Sequence, residues 1–471
     1  MAGSTNPGRS GRPDAAQREA AHNLEVTKRM REVEEAILAR APEHDLEPSL
    51  DRIAAVMELL GDPQRGYPVI HLTGTNGKTS TTRLVETLLL EMGLRTGRFT
   101  SPHLHSMRER IALSGQPISA EKFLAAYDEV IPFIEMVDAR SVAEGGPLMT
   151  YFEVLVAVAY AAFADAPVDV AVVEVGMGGR WDATNVADGS VAVVTPVDLD
   201  HQHFLGDTVE LIATEKSGII KEGAIAVSAL QPHAEVVEIL RERALEVGAR
   251  LAVEGVDFGF KASDVAVGGQ QFSMQGLAGD YDDLFLPLFG PHQMQNAMTA
   301  VAAVEAFVGG GETRLDPDVV RSALAKAASP GRLEVVRRSP TVVVDAAHNP
   351  AGAVALRQAI EQSFNFARLV GVIAILKDKD ATEMLEVLEP VLDHVVVSRT
   401  TSPRAMDPDD LGELAVDIFG EGRVTVVQSL PDALDTAAGL ADEGGVSGGV
   451  LATGSVTTAA EVRMLLGTTE V

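Results

Sequence analysis

The stretch 69–82, VIHLTGTNGKTSTT, holds the residue types that a polyphosphate needs. Val69 to Leu72 read as the end of a buried strand and Thr73 to Lys78 as a short glycine-containing turn. From Thr79 the apolar spacing is helical and runs to a C-cap at Gly93. In such a unit the N–H groups at the helix start face the ligand, and the helix dipole favours its negative charge. Lys78 can neutralise β- and γ-oxygens, and the hydroxyl of Thr79 or Ser80 can face Mg²⁺. The general pattern is GxxxxGK[ST]. Leu72 stands where its first glycine belongs, so only the second half matches. An ordinary βα turn is the alternative reading.

Other polar residues gather at the ends of apolar runs. Glu174 closes VDVAVVEVG (168–176), where a carboxylate can hold the Mg²⁺ of a nucleotide or simply be a solvated strand end. The following GMGG has the wrong spacing for a dinucleotide fingerprint, and no helix opens cleanly after it. Asp198, Asp200, His201 and His203 crowd one loop, as metal ligands or as caps and local hydrogen-bonding groups. Lys216 falls at a helix end, the usual place for a surface charge that complements the dipole; a chemical role requires it to be neutral or modified. Asp345 and His348 follow a later strand, aimed at one ligand or serving turn chemistry. Arg332 precedes that strand, within reach of a phosphate or exposed.

The elements that must position these residues form two α/β patterns. Apolar strands alternate with helices through the first 230 residues, which predicts a doubly wound, mostly parallel sheet. Residues 254–288 turn to short, glycine-broken alternation, predicting a small antiparallel region on one edge. Strands near 341–345, 368–375, 393–397, 423–427 and 449–453 predict a second, Rossmann-like α/β domain without its own P-loop. The expected division is a disordered extension at 1–25, a P-loop domain at 26–308, a linker at 309–315 and a C-terminal domain at 316–471.

Composition removes several function classes. The net charge of −30 argues against broad nucleic-acid or membrane-surface binding. With no cysteine, thiolate catalysis, disulfides and Cys-based zinc sites are excluded. No apolar run reaches the roughly 18–20 residues of a membrane span. The polar start lacks a signal-peptide core, so a cytoplasmic location is expected.

The order P-loop, Glu, His, Lys, then Arg and Asp-x-x-His on a second domain resembles the folylpolyglutamate synthase/dihydrofolate synthase family, itself similar in fold to the Mur ligases. The resemblance runs from about residue 46 to the C-terminus. It rests on LEPSLDRI, HLTGTNGKTS, GRFTSPHL, LMTYFE, VEVGMGGRWDATN, LDHQHFLGDTVELIATEKSGIIK, GPHQMQNA, PGRLE, DAAHNP and TTSPR. FTSPHL with GGRWDATN points to the folate branch, and the family also lacks the first Walker glycine. Trp181 departs from the aliphatic residue common there.

The resemblance implies roles. Thr75, Asn76, Gly77, Lys78 and Thr79 would bind ATP phosphates. Asn296, Arg332, Asp345 and His348 would contact ATP across a domain cleft. Ser101 and Glu174 would hold one Mg²⁺, while Glu174, His201 and Lys216, the lysine carbamylated, would serve a second metal position. Ser49, Leu50, Thr150 and Phe152 would lie near the pteridine. The implied enzyme is a monomer that activates a carboxylate of dihydropteroate or a folate as an acyl phosphate and joins it to L-glutamate, with the domains closing to exclude water. Lys78, Glu174, His201 and Lys216 would carry the catalysis. The alternative is a Mur-type ligase acting on a UDP-linked muramyl peptide.

Overall fold

The computed structural model describes residues 15–41, 49–443 and 448–468. Its first sheet contains β1 (Val69–Thr73), β2 (Thr96–Phe99), β3 (Ile111–Leu113), β4 (Gln116–Pro117), β5 (Val170–Glu174), β6 (Gly189–Val194), β7 (Ile225–Ser228) and β8 (Arg250–Val253). The strand order is β4-β3-β2-β5-β1-β6-β7-β8. All neighbours from β2 to β8 are parallel, and β3 and β4 add an antiparallel edge.

The strands are apolar on both faces because both faces are covered. Ile70 and Leu72 pack beneath helices Lys78–Glu91 and Pro291–Gly309, while Val69 faces helices Ala120–Ala143 and Tyr151–Asp165. Helix Tyr151–Asp165, apolar nearly all round, is buried over Phe152–Phe163 as its composition predicts. The chain passes from β1 to β2 across β5, and from β5 to β6 across β1. That places a switch in winding direction, and hence a crevice, at the carboxyl end of β1.

A separate sheet of β9 (Gly259–Ala266), β10 (Gly269–Gln275) and β11 (Asp280–Leu286) is antiparallel. It is not an edge of the first sheet, as expected, but a layer outside helix Pro291–Gly309. Phe272, Met274, Tyr281 and Leu284 bury against that helix. The last sheet is β12 (Glu334–Arg338), β13 (Thr341–Val344), β14 (Arg368–Ile373), β15 (His394–Val397), β16 (Val424–Val426) and β17 (Gly448–Thr453). Its order is β12-β13-β17-β14-β15-β16, parallel except for β12. Helices cover both faces of this sheet.

Two expected boundaries move. Helix Ala15–Leu38 starts well before residue 26, so 15–25 is helical rather than a disordered extension; residues 1–14 lie outside the described residues. Its opening AAQREAAHNLE contains strong helix formers and neither glycine nor proline. The glycines at 309–311 turn the chain back onto the first core instead of leading out of it. Leu315, Val320, Leu324 and Ala327 share a core with Leu84 and Leu88, and the next core begins at Leu333.

Candidate active site

The loop after β1 is built to keep a helix start open. Gly74 has φ +146°, and a Cβ there would collide with Thr195. Gly77 has φ +86°, and a Cβ there would come within 2.6 Å of Asn296 Oδ1. Gly77 is the N-cap of helix Lys78–Glu91, and no side chain caps that helix. Its first amides therefore lack partners within the helix and face the cleft. Thr75 and Asn76 do something else. Their amides donate to the Pro196 carbonyl at 2.9 and 3.3 Å, and the Thr75 hydroxyl exchanges hydrogen bonds with the Asp198 backbone. Both tie the loop to the end of β6, although both also line the cleft.

Lys78 folds over its own loop, donating to the carbonyls of Gly74 (2.9 Å) and Thr75 (3.2 Å). Burial lowers its pKa. Glu174, at the end of β5, accepts from the Thr79 hydroxyl at 2.8 Å and from the Ser101 amide at 3.2 Å. Burial raises its pKa against the pull of Lys78. Lysine, hydroxyl and carboxylate thus meet at adjacent strand ends, as the sequence suggested.

Lys216 is buried behind the loop, and its Nζ donates to the same Gly74 carbonyl at 2.9 Å. It is no surface charge. Burial and the neighbouring Lys78 lower its pKa to about 7. His201 has left-handed backbone (φ 51°), lines the cleft and is held well below the usual histidine range, first by desolvation. Among the described residues, no three His, Cys, Asp or Glu side chains form a metal cage.

The second unit closes the cleft from the opposite side. Asp345, after β13, is buried and accepts from the amides of Leu333 and Ala347, both at 2.8 Å. Burial raises its pKa. Arg332, Asp345, His348 and Asn296 all line the cleft with the loop, a space of about 740 Å³. A cross-unit cluster joins the two sides. Asp200 accepts from Lys379 at 2.8 Å and from Asn349 at 3.2 Å, and His348 lies 3.7 Å away. Asn349 also bonds Asn76. Burial alone would raise the Asp200 pKa, but the neighbouring His348, His201 and Lys379 hold it below the usual carboxylate range. Lys379 and Asn349 were not foreseen: nothing near either residue in the chain marks a partner.

Part of the cleft lining is aromatic and apolar. Phe152, Tyr151, Met177 and Phe204 form it, with Arg110 over the Tyr151 ring at 5.5 Å. Phe152 packs edge-on against Phe99. Ser49, Leu50 and Thr150 do not line this space. Thr150 is a buried N-cap whose hydroxyl and amide bond Glu153, and Ser49 accepts from the Asp51 amide at a helix start. Leu50 packs against the first core. Sequence reasoning missed that TYFE reads as a capping box.

Comparison with known proteins places these features in context. The Mur ligase middle domain model matches residues 141–304, and the Mur ligase glutamate ligase domain model matches 331–456. The chain is 49% identical over 456 residues to the dihydrofolate synthase/folylpolyglutamate synthase of Mycobacterium tuberculosis, covering 93% of each. It is 34% identical over 423 residues to the Bacillus subtilis enzyme of the same name, covering 89% of this chain and 95% of that one. Its structure is similar to the M. tuberculosis folylpolyglutamate synthase complexed with ADP and AMPPCP, with TM-score 0.89, 48% identity, and coverage of 94% and 99%.

Proposed function

The chain belongs to the dihydrofolate synthase/folylpolyglutamate synthase family of ATP-dependent ligases, and from that premise we propose that its cleft joins L-glutamate to dihydropteroate, to a folyl-glutamate, or to both. One observation carries the reading. An open helix start, a lysine and a strand-end carboxylate of the first unit share one cleft with Arg332, Asp345 and His348 of the second and with the aromatic rings of Tyr151, Phe152 and Phe204.

The donors fit Mg²⁺, which takes one or two carboxylates and completes its shell with water and phosphate oxygens. Glu174 and the Thr79 hydroxyl, 2.8 Å apart and beside Ser101, are such hard oxygen donors. When bound, Mg²⁺ neutralises charge on the transferring phosphoryl group. A second position, at Glu174 and His201, uses Lys216 only after the lysine gains oxygen atoms. A pKa near 7 leaves part of the Lys216 amine unprotonated at neutral pH. That amine can add CO₂, forming an N–C bond and releasing a proton to leave a carbamate.

In the reaction, ATP phosphates lie against the helix start at Gly77, Lys78 and Thr79. Asn296, Arg332, Asp345 and His348 complete the ATP site from the rest of the cleft. The substrate carboxylate attacks the γ-phosphorus and ADP leaves, with Lys78 stabilising the charge. The amine of L-glutamate then attacks the acyl carbon, loses a proton, and phosphate departs. The Asp200 cluster holds the units together over the intermediate and limits its hydrolysis. Phe152 and its aromatic neighbours supply a wall for the pteridine, and Thr150 caps the helix that carries Phe152. No helix among the described residues is long and apolar enough to cross a membrane, which fits work in the cytoplasm.

The test is ADP release with L-glutamate and Mg²⁺, comparing 7,8-dihydropteroate with a reduced monoglutamyl folate. Turnover with both defines a bifunctional enzyme, and turnover with one assigns that step. No turnover with either, together with turnover on UDP-muramyl substrates, overturns the proposal.

A further inference from the structure

Away from the cluster around Asp200, the units are joined a second time. The loop after β2 begins at Ser101, whose amide donates to Glu174. The Glu109 carboxylate gathers the next amides, accepting from Leu104 (2.8 Å), His105 (3.0 Å) and Ser106 (2.8 Å). Three bonds to one carboxylate make this loop a stiff body. At its far end, His105 Nε2 lies 3.0 Å from Arg463 Nη1, on helix Val456–Leu465 of the second unit. A guanidinium can only donate, so His105 accepts as the neutral ring. Arg463 is 1% exposed and also pairs with Glu334, Nε to Oε2 at 2.8 Å and Nη2 to Oε1 at 3.3 Å.

Glu334 stands at the end of the segment that crosses between the units. Its Oε2 accepts from the Gly331 amide at 2.7 Å. The start of the same segment is fastened to the helix of the phosphate loop, Ser329 Oγ to Ser80 Oγ at 2.9 Å. Arg332 lies between these two fastenings and lines the cleft, and the Leu333 amide bonds Asp345. A continuous path therefore runs from Glu174 through the Ser101 loop, His105, Arg463 and Glu334 to the segment that carries Arg332.

We propose that His105 and Arg463 are positioning residues that set the second unit, and with it Arg332, in register with the Ser101–Glu174 end of the cleft. Neither residue touches the reacting atoms. The inference deepens the ligase reading and rests on it for its kinetic arm. His105→Phe keeps an aromatic ring but removes the acceptor; His105→Gln keeps an acceptor. Loss of one charge-assisted hydrogen bond at this contact is expected to lower kcat about tenfold and, because Arg332 belongs to the ATP site, to weaken ATP-analogue affinity several-fold, while the variant still folds and melts cooperatively. His105→Gln is expected to restore most of the rate.

The absence of native cysteine permits an arm independent of activity. Spin labels at Glu129→Cys and Asp435→Cys, exposed positions on the two units, should report one narrow distance distribution in the parent and in His105→Gln, and a broadened or shifted one in His105→Phe. An unchanged distribution in His105→Phe overturns the proposal, as does an equal rate loss in both variants. Absence of wild-type turnover counts against the ligase reading, while the distances still decide the positioning.

Discussion

Two helices begin at the carboxyl ends of comparable strands and are finished in opposite ways. After β1, helix Lys78–Glu91 starts at Gly77, with left-handed backbone and no side-chain cap. After β13, helix Pro350–Ser363 starts at Asn349, whose Oδ1 accepts from the Gly352 amide at 2.7 Å, with proline in the first turn. Both sheets are doubly wound, so architecture alone does not say which rim binds phosphate. The difference lies in a few atoms. One helix start is left for an anion, and the other is satisfied by its own chain. The second unit instead brings side chains, Arg332, Asp345, His348 and Lys379, to the cleft that the first unit's open helix start also lines. The Asn349 amide group completes the division of labour by reaching back to Asn76 and Asp200.

The contrast is broken most severely at Lys78. Lys78→Met is expected to lower kcat about a thousandfold in the ADP-release assay, and near-normal turnover would remove Lys78 from the phosphoryl step. Gly77→Ala comes next. It imposes a side chain at φ +86° against Asn296, and calorimetry should show nucleotide affinity reduced about tenfold or more. A smaller effect is expected for Asp200→Asn, which keeps the shape but removes the charge that Lys379 meets. Its KM for ATP should rise by about tenfold with a lesser change in kcat, because assembly of the two sides is weakened rather than the chemistry.

The mildest test sharpens the account of the buried lysine behind the loop. In CO₂-depleted buffer, wild-type stability should rise between about pH 7 and the ordinary lysine value of 10.5. In that window the unfolded chain binds a proton that the folded chain has lost, so stability increases with pH. Denaturant titrations of Lys216→Met should lack that contribution. An identical pH profile in the variant would show that Lys216 is not neutralised by burial.

What the chain revealed in advance follows from distance along it. The phosphate loop was legible because strand, turn, lysine and helix are contiguous, and Glu174 because an acidic residue ends an unbroken apolar strand. Both α/β units were legible by the same alternation. The Asp200–Lys379 and His105–Arg463 contacts were not, since 179 and 358 positions separate the partners and nothing in the local sequence pairs them. Lys216 was placed at a helix end correctly, but its burial depends on the GMGG loop folding over it: a Cβ on Gly179 would lie 2.8 Å from the Lys216 carbonyl. The capping role of Thr150 was not foreseen, because a helix cap and a ligand contact draw on the same residue types.

The central claim is that the cleft activates a carboxylate as an acyl phosphate before the amine arrives. The most direct test is turnover of a pteroate or folate substrate carrying ¹⁸O in the reacting carboxylate, followed by mass analysis of the inorganic phosphate. The account predicts one labelled oxygen in each phosphate released with amide product. Amide product accompanied by unlabelled phosphate would contradict it.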